Sequence, residues 1–219
     1  MGKIVAIDGP AGAGKSTVAQ LVADRLGFLH LDSGATYRAV AWATVHYGIN
    51  PGDQLRVEEL AGRVRVELKD KRVWVDGMEV TGEIRTQEMS RLASTVSAYP
   101  GVRKAMVLIQ RQIGLGAEPG AVAEGRDMGT VVFPDIKYKV YLDASIEERA
   151  RRRQAQLGEL GLPAPPLEQL MQEIRIRDHN DSTRQASPLY KAAGAFVLDT
   201  TGLSVEQVVD KIVQFVRSV

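Results

Sequence analysis

An α/β fold built on a five-stranded parallel sheet flanked by helices is what this sequence predicts, and three observations carry the prediction. Short apolar segments alternate with helical segments along most of the chain, the pattern of a parallel sheet whose crossovers are helices covering both faces. A Gly-rich loop stands between the first strand and the first helix. One stretch, 61–85, breaks the pattern with two-residue alternation and a tight-turn dipeptide. It reads as a small antiparallel β insert, leaving 1–60 and 86–219 as the core.

Taken in order, Lys3–Ile7 is a short buried strand ending at Asp8. The loop Gly9–Gly14 leads into a helix over about Ser16–Leu26. Val18, Leu21, Val22 and Leu26 keep helical spacing there, and Gly27 is a stop. Phe28–Leu31 is a second strand, ending at Asp32, and Ala35–Val45 is a helix apolar nearly all round, which implies deep packing. Val64, Val66 and Leu68 then alternate with Arg65, Glu67 and Lys69. Arg72–Val75 continues the strand signal, and Asp76-Gly77 turns the chain into Met78–Val80. Helices are expected over Arg85–Val96 and Gly101–Ile113. Strands Ala121–Glu124 and Lys139–Leu142 run into Gly125-Arg126-Asp127 and Asp143. Ser145-Ile146-Glu147-Glu148 fits a capping box that opens an Arg-rich helix. A loop rich in Gly and Pro, Gly158–Pro166, precedes a helix over Leu167–Arg177. Ala195–Leu198 is the last strand, and Ser204-Val205-Glu206-Gln207 caps a final amphipathic helix.

With 219 residues, 44% hydrophobic and 25% charged, the chain can bury a proper core. The net charge of +1 argues against a nucleic-acid coat or a polybasic membrane binder. The 19 arginines against 9 lysines favour planar contact with phosphates or carboxylates, though base composition or thermal adaptation would give the same excess. With no cysteine, disulfides, zinc thiolates and thiol nucleophiles are excluded. The opening apolar run is too short for a signal peptide, and no stretch reaches the ~18 apolar residues of a membrane span. A cytoplasmic monomer acting on small molecules, not on nucleic acid or membrane, is the expectation.

Gly9, Pro10, Ala11, Gly12, Ala13, Gly14, Lys15 and Ser16 match Gly-x4-Gly-Lys-[Ser/Thr] in full, after an apolar strand and at the start of a helix. The motif marks a P-loop NTPase core. Glycines let backbone N–H groups cradle phosphate oxygens, and the helix N-terminus adds partial positive charge. Lys15 would bridge the β- and γ-phosphates, and the Ser16 hydroxyl would ligate Mg2+ bound with ATP. Thr17 completes the expected ATP-binding run. The chain lacks an Asn/Thr-Lys-x-Asp base-reading motif, which argues against a GTPase, and Asp143 is followed by Ala144 where a motor or transporter ATPase would carry Glu. A small metabolite kinase fits better.

Asp32-Ser33-Gly34-Ala35-Thr36-Tyr37-Arg38 follows the second strand, on the side where open parallel sheets bind ligands. Asp32-Ser33 is also a plausible helix N-cap. An isolated charge at Arg38 inside an apolar helix would be expensive, so a phosphate partner is attractive. Gly125-Arg126-Asp127-Met128-Gly129-Thr130 occupies the same position after the third strand, where Arg126 and Asp127 could instead pair with each other. Arg175, Arg177, Asp181 and Arg184, like Arg149 and Arg151–Arg153, are compatible with solvated helix faces.

Together, Gly9–Ser16, Asp32–Arg38, Ile84–Glu88, Glu124–Asp135 and Arg177–Arg184 resemble the bacterial cytidylate kinases over nearly the whole chain. The phosphate loop alone indicates only a P-loop protein, whereas Asp-Ser-Gly-x-x-Tyr-Arg and Gly-Arg-Asp-Met-Gly-Thr are much more specific. The resemblance implies a core with a CMP-binding insert and a short helical lid, about 151–180, moving a phosphoryl group from ATP·Mg to CMP or dCMP. Carried over by matching motifs, Ser33, Arg38, Ser94, Arg103, Arg126, Asp127, Arg177, Asp181 and Arg184 would contact the monophosphate. Lys15, Arg126 and Arg153, the last from the lid base, would be catalytic.

The chemistry agrees with the residues. The acceptor phosphate is ionised near neutral pH, its second pKa being ~6. No general base is needed, and His30, His46 and His179 all read as structural. The loop Gly158–Pro166 is the candidate for excluding water. The alternatives are a small P-loop kinase for another nucleotide or metabolite, shikimate among them, and a nucleotide-binding switch without turnover.

Overall fold

The structure, a computed structural model, describes residues 2–69, 71–159 and 161–218. In chain order its regular elements begin with β1 (Lys3–Asp8), α1 (Lys15–Leu26), β2 (Leu29–Asp32), α2 (Ser33–His46) and α3 (Gln54–Arg63). Next come β3 (Val66–Lys69), β4 (Arg72–Val75), β5 (Met78–Glu79), a 3-10 turn at Glu83–Arg85, α4 (Gln87–Val96) and α5 (Pro100–Gly116). β6 (Gly120–Gly125), a π-helical turn at Met128–Val132, β7 (Tyr138–Asp143), α6 (Ile146–Glu159), α7 (Leu167–Thr183), β8 (Phe196–Asp199) and α8 (Val205–Arg217) complete the chain.

The expected five strands form one sheet in the order β2-β6-β1-β7-β8, and every pair in it is parallel. β1 lies in the centre with Ile4–Asp8 buried, so both of its faces must be apolar. Val5 and Ile7 pack with Val18 and Val22 of α1 and Val209 and Ile212 of α8. Ile4 and Ala6 pack on the opposite face with Leu31, Ala123 and Phe133. A third cluster joins Val66, Val73 and Val75 of the small antiparallel sheet, ordered β3-β4-β5, to apolar residues of α2, α3, α4 and α5. Ala150 and Leu157 of α6 pack on Leu170 and Ile174 of α7 in a cluster of their own. Among the described residues, no helix is long and apolar enough to cross a membrane.

The register decides what meets at the sheet's carboxyl edge. Asp8 pairs with Gly125 and Asp32 with Glu124, so the loops after β1 and β6 and the start of α2 leave from one level. That is where parallel sheets place ligands.

The elements depart from expectation in four places. α3 is additional; Asp53 caps it by accepting the Arg56 N–H, and only Val57, Leu60 and Ala61 mark its buried face. α4 starts at Gln87, because Thr86 accepts the Met89 N–H as its cap. The capping box at Ser145 is half made: Ser145 Oγ accepts the Glu148 N–H, while the Glu148 carboxylate turns to Arg152. The box at Ser204 and Gln207 is complete. Finally, α7 continues to Thr183 through Asp178-His179-Asn180-Asp181, residues of weak helix propensity. Ion pairs from Asp178 to Arg149 and from Asp181 to Arg126 hold that last part.

Candidate active site

The phosphate loop is shaped by the backbone its glycines permit. Gly14, at φ 83°, is the N-cap of α1, a left-handed conformation that a side chain strains. At Gly9 a Cβ would lie 2.1 Å from the Leu142 carbonyl oxygen of β7. Lys15, the first residue of α1, is buried and donates from Nζ to Pro10 O at 2.7 Å, across the mouth of the loop. Burial pushes its pKa well below the ordinary lysine value, and the nearby Arg126 and Arg177 push the same way.

Asp8 ends β1 directly beneath the loop. Its two carboxylate oxygens accept the Met128 and Gly129 N–H groups at 2.9 and 2.8 Å, tying the turn after β6 to the phosphate-loop strand. Burial raises its pKa to about 6, against the pull of those two donors.

Ser16 Oγ donates to Glu124 Oε2 at 2.8 Å, and Glu124 Oε1 faces His30 Nε2 at 3.2 Å. An exposed hydroxyl whose O–H is taken up by a carboxylate is a hard oxygen donor of the kind Mg2+ takes when phosphates and water supply the remaining ligands. Among the described residues no three His, Cys, Asp or Glu side chains converge to hold a metal by themselves. The residues present therefore fit a cation shared with a nucleotide, and not a closed protein cage.

Across the cleft, acids hold the arginines in place. Arg38 donates to Asp32 Oδ2 at 2.8 Å, so its charge has a carboxylate partner within the chain. Asp32 also serves as the cap of α2, its other oxygen accepting the Ala35 N–H. Arg126 and Asp127 do not pair with each other. Arg126 goes to Asp181 on α7, and Asp127 goes to Arg103 on α5, both at 2.8 Å. Arg184 donates to the second oxygen of Asp181 at 3.3 Å. Arg177 is exposed at the cleft, and desolvation followed by Arg126 lowers its pKa. Desolvation and then Arg103 do the same to Arg184. Among the described residues the buried atoms Arg38 Nε, Arg103 Nε and Arg184 Nη2 have no hydrogen-bond partner, as suits a site that receives a polar molecule.

The remaining predicted residues are less alike. Ser33 is buried, and its hydroxyl donates to Glu124 O at 2.6 Å. Ser94 is exposed on α4, and its carbonyl accepts from Ser97 Oγ. Thr17 is exposed one residue beyond Ser16. Arg153 is exposed and bonds Gln156, but lies close enough to Arg177 for their charges to repel. Arg149 is buried, giving hydrogen bonds to Ala144 O, Ala11 O and Asp178, and Asp178 in turn accepts the Ala11 N–H at 3.0 Å. This junction fastens α6 and α7 to the phosphate loop. Arg151 and Arg152 pair with Glu147 and Glu148 on their own helix, and Arg175 pairs with Glu168.

Sequence reasoning missed Asp8, Glu124, His30 and Asp178 as members of this site. Strand-end position was the signal available for the first two; nothing local marks the others.

Comparison with known proteins points one way. The family described as cytidylate kinase matches residues 5–218. The chain is 49% identical to a cytidylate kinase of Limosilactobacillus fermentum, over 95% of this chain and 92% of that protein. It is 48% identical to one of Solibacter usitatus, over 98% and 92%. It is also 48% identical to a bifunctional pantoate ligase/cytidylate kinase of Trichormus variabilis, over 97% of this chain, but spans only 41% of that relative's length. In fold it resembles an uncharacterized protein from Eubacterium ventriosum, with a TM-score of 0.54 at 11% identity over 99% of each chain. TT1252 from Thermus thermophilus gives a TM-score of 0.50 at 18% identity, over 99% of this chain and 97% of that one.

Proposed function

The chain belongs to the cytidylate kinase family, and from that premise we propose that it transfers the γ-phosphoryl group of ATP to CMP or dCMP, giving CDP or dCDP and ADP. One observation carries the reading. Lys15, Arg126, Arg177 and Arg184 crowd one cleft, and the nearby cations lower the pKa of Lys15, Arg177 and Arg184 after desolvation does. Asp181, its own pKa lowered by Arg126 in spite of burial, works against that repulsion, as do Glu124 at Lys15, Asp178 at Arg177 and Asp127 at Arg184. Two phosphate-bearing ligands would bring further negative charge to these mutually repelling cations.

In this reading Gly9–Thr17 holds ATP, with Lys15 on its phosphates. Ser33, Arg38 and Arg126 hold the monophosphate. Ser94, Arg103 and Asp127 read its base. Arg177, Asp181 and Arg184 approach from α7, and Arg153 from the lid. Residues 61–85 serve as the insert beside the acceptor, and about 151–180 as the lid. Ser16, its hydroxyl held by Glu124, would ligate Mg2+, which when bound supplies charge neutralisation at the phosphates. The acceptor oxygen is already ionised, its second pKa being ~6, so no side chain takes a proton from it. Catalysis then reduces to aligning two anions, cancelling the charge that develops, and keeping water out. The same reading makes the chain a cytoplasmic monomer acting on small molecules, not on nucleic acid or membrane.

A coupled assay of ADP release across CMP, dCMP, UMP, AMP, GMP and shikimate tests this. CMP and dCMP are expected to lead the panel. Greatest turnover with any other acceptor, or none with all six, would overturn the assignment.

A further inference from the structure

We propose that His30, which the sequence reads as structural, is a positioning residue that holds the phosphate loop's serine ready for the metal. The proposal rests on the reading that Ser16 ligates Mg2+ bound with ATP. A four-membered chain of side chains carries it. Gln20 Nε2 donates to Asp24 at 3.1 Å, which leaves Gln20 Oε1 to face His30 Nδ1 at 3.1 Å. His30 Nε2 faces Glu124 Oε1 at 3.2 Å, and Glu124 Oε2 accepts from Ser16 Oγ at 2.8 Å. The Gln20 amide oxygen and the Glu124 carboxylate oxygen both only accept, so the two contacts together are hydrogen bonds when each ring nitrogen of His30 carries a proton and donates.

The backbone explains why these groups meet. His30 pairs with Val122 across β2 and β6, so it shares a sheet face with Glu124, two residues further along β6. Gln20 and Ser16 are four residues apart on α1, hence on one face of that helix. The chain of contacts therefore starts on α1, crosses two strands and returns to the first turn of the same helix.

Its chemistry is specific. A hydroxyl that gives a lone pair to a cation must point its O–H away from it, and Glu124 Oε2 accepts that hydrogen bond. Glu124 does this best when its other oxygen is fixed, which is what His30 does. Groups that hydrogen-bond a metal ligand, as Glu124 does Ser16, typically account for 10–100-fold in metal affinity, and His30 acts through that group. His30 is half-buried and Glu124 almost wholly buried, so water does not readily replace the imidazole.

The test is isothermal titration of ATP into the full-length chain, with Mg2+ and with EDTA, for wild type, His30→Leu and His30→Gln. His30→Leu should bind ATP about tenfold more weakly in Mg2+, with an affinity in EDTA close to wild type. His30→Gln, whose amide nitrogen can replace Nε2 as donor to Glu124, should recover most of the loss. An equal loss with and without Mg2+, or no loss, overturns the proposal, because a packing role does not distinguish the two conditions. If wild type itself gains nothing from Mg2+, the reading of Ser16 as a ligand fails first. Should His30→Leu not fold, Gln20→Leu decides, since it frees the far end of the ring. An unchanged Mg2+-dependent affinity there overturns the proposal as well.

Discussion

Arg103 and Asp127 stand 24 positions apart in sequence, yet their side chains meet at 2.8 Å with each almost wholly buried. Arg103 also donates to Ser97 O and lies 5.0 Å from the centre of the Tyr37 ring. Burial works against its charge, but Tyr37 and Asp127 reverse that and raise its pKa. Tyr37 is itself pushed up to about 12, by burial first and then by Asp127. The pair forms a buried polar wall with one carboxylate oxygen committed to Arg103, and in the proposed function it faces the acceptor.

Asp127→Asn is expected to narrow the CMP/UMP ratio in kcat/KM, chiefly by losing CMP activity. Cytosine presents an exocyclic amino donor where uracil presents a carbonyl, and a carboxylate accepts from the former alone. Sites built around a buried hydrogen bond reject the wrong analogue by about 10⁴-fold. Arg103→Ala should reduce both activities more evenly. Steady-state kinetics on both substrates decide the matter, and an unchanged ratio in Asp127→Asn ends the base-reading role.

Arg38→Lys and Arg126→Lys keep the charge and lose the planar fork. Monophosphate affinity should fall in each while ATP affinity stays near wild type. Because Asp32 and Asp181 hold these two side chains, the variants also test whether the acids orient a binding fork or merely neutralise it. Loss of ATP binding instead, seen by titration, would move both arginines to the donor side.

The parallel sheet and the phosphate loop were legible because their signals are local. The apolar run Ile4–Ile7, the motif Gly9–Ser16 and the dipeptide Asp76-Gly77 each fix nearby backbone by themselves. The end of α7 was not legible, since Asp178 and Asp181 are poor helix formers retained by arginines on α6 and in the β6 loop. Helix α3 was missed although Asp53, Val57, Leu60 and Ala61 carry an ordinary cap and an apolar stripe. Arg126 and Asp127, which the sequence left open either to contact a ligand or to pair with each other, do not pair. Neighbours in sequence leave a loop in different directions, and each found its partner on another helix. The network from Gln20 to Ser16 depends on strand register, which no window of sequence reveals.

Lys15→Ala should lose nearly all turnover with the fold kept. Lys15 opens α1, where Ala is the best helix former, and its ammonium sits among cations that weaken it in the absence of ligand. Removing it relieves repulsion in the empty site, so thermal stability should hold or rise. The catalytic loss should fall mainly in kcat, because Lys15 would neutralise charge that grows during transfer. A variant that keeps more than about a tenth of wild-type kcat, a change under ~1.4 kcal/mol, removes Lys15 from the catalytic role.

Asp8 sets a pH dependence of folding opposite in sign to that of a salt-bridged acid. Its folded pKa, about 6, lies above the ordinary 3.8 because burial outweighs the two N–H donors. Below pH ~4 the group is protonated in both states and adds no slope. Between ~4 and ~6 the unfolded chain gives up a proton that the folded chain keeps, so stability falls as pH rises. Above ~6 the loss is complete, at up to about 3 kcal/mol relative to the acid limit. Asp8→Asn cannot titrate, and it keeps one acceptor for the turn at Met128–Gly129 while losing the other. Its absolute stability therefore matters less than the difference from wild type, in which most other carboxylates cancel. Urea unfolding of both proteins without nucleotide, from pH 4.5 to 7.5, should show wild type losing ground steadily to the variant up to about pH 6 and holding level beyond it. A pH-independent difference would mean that Asp8 ionises normally in the folded chain. In that case the carboxylate beneath the phosphate loop would not be the strained anion that its burial indicates.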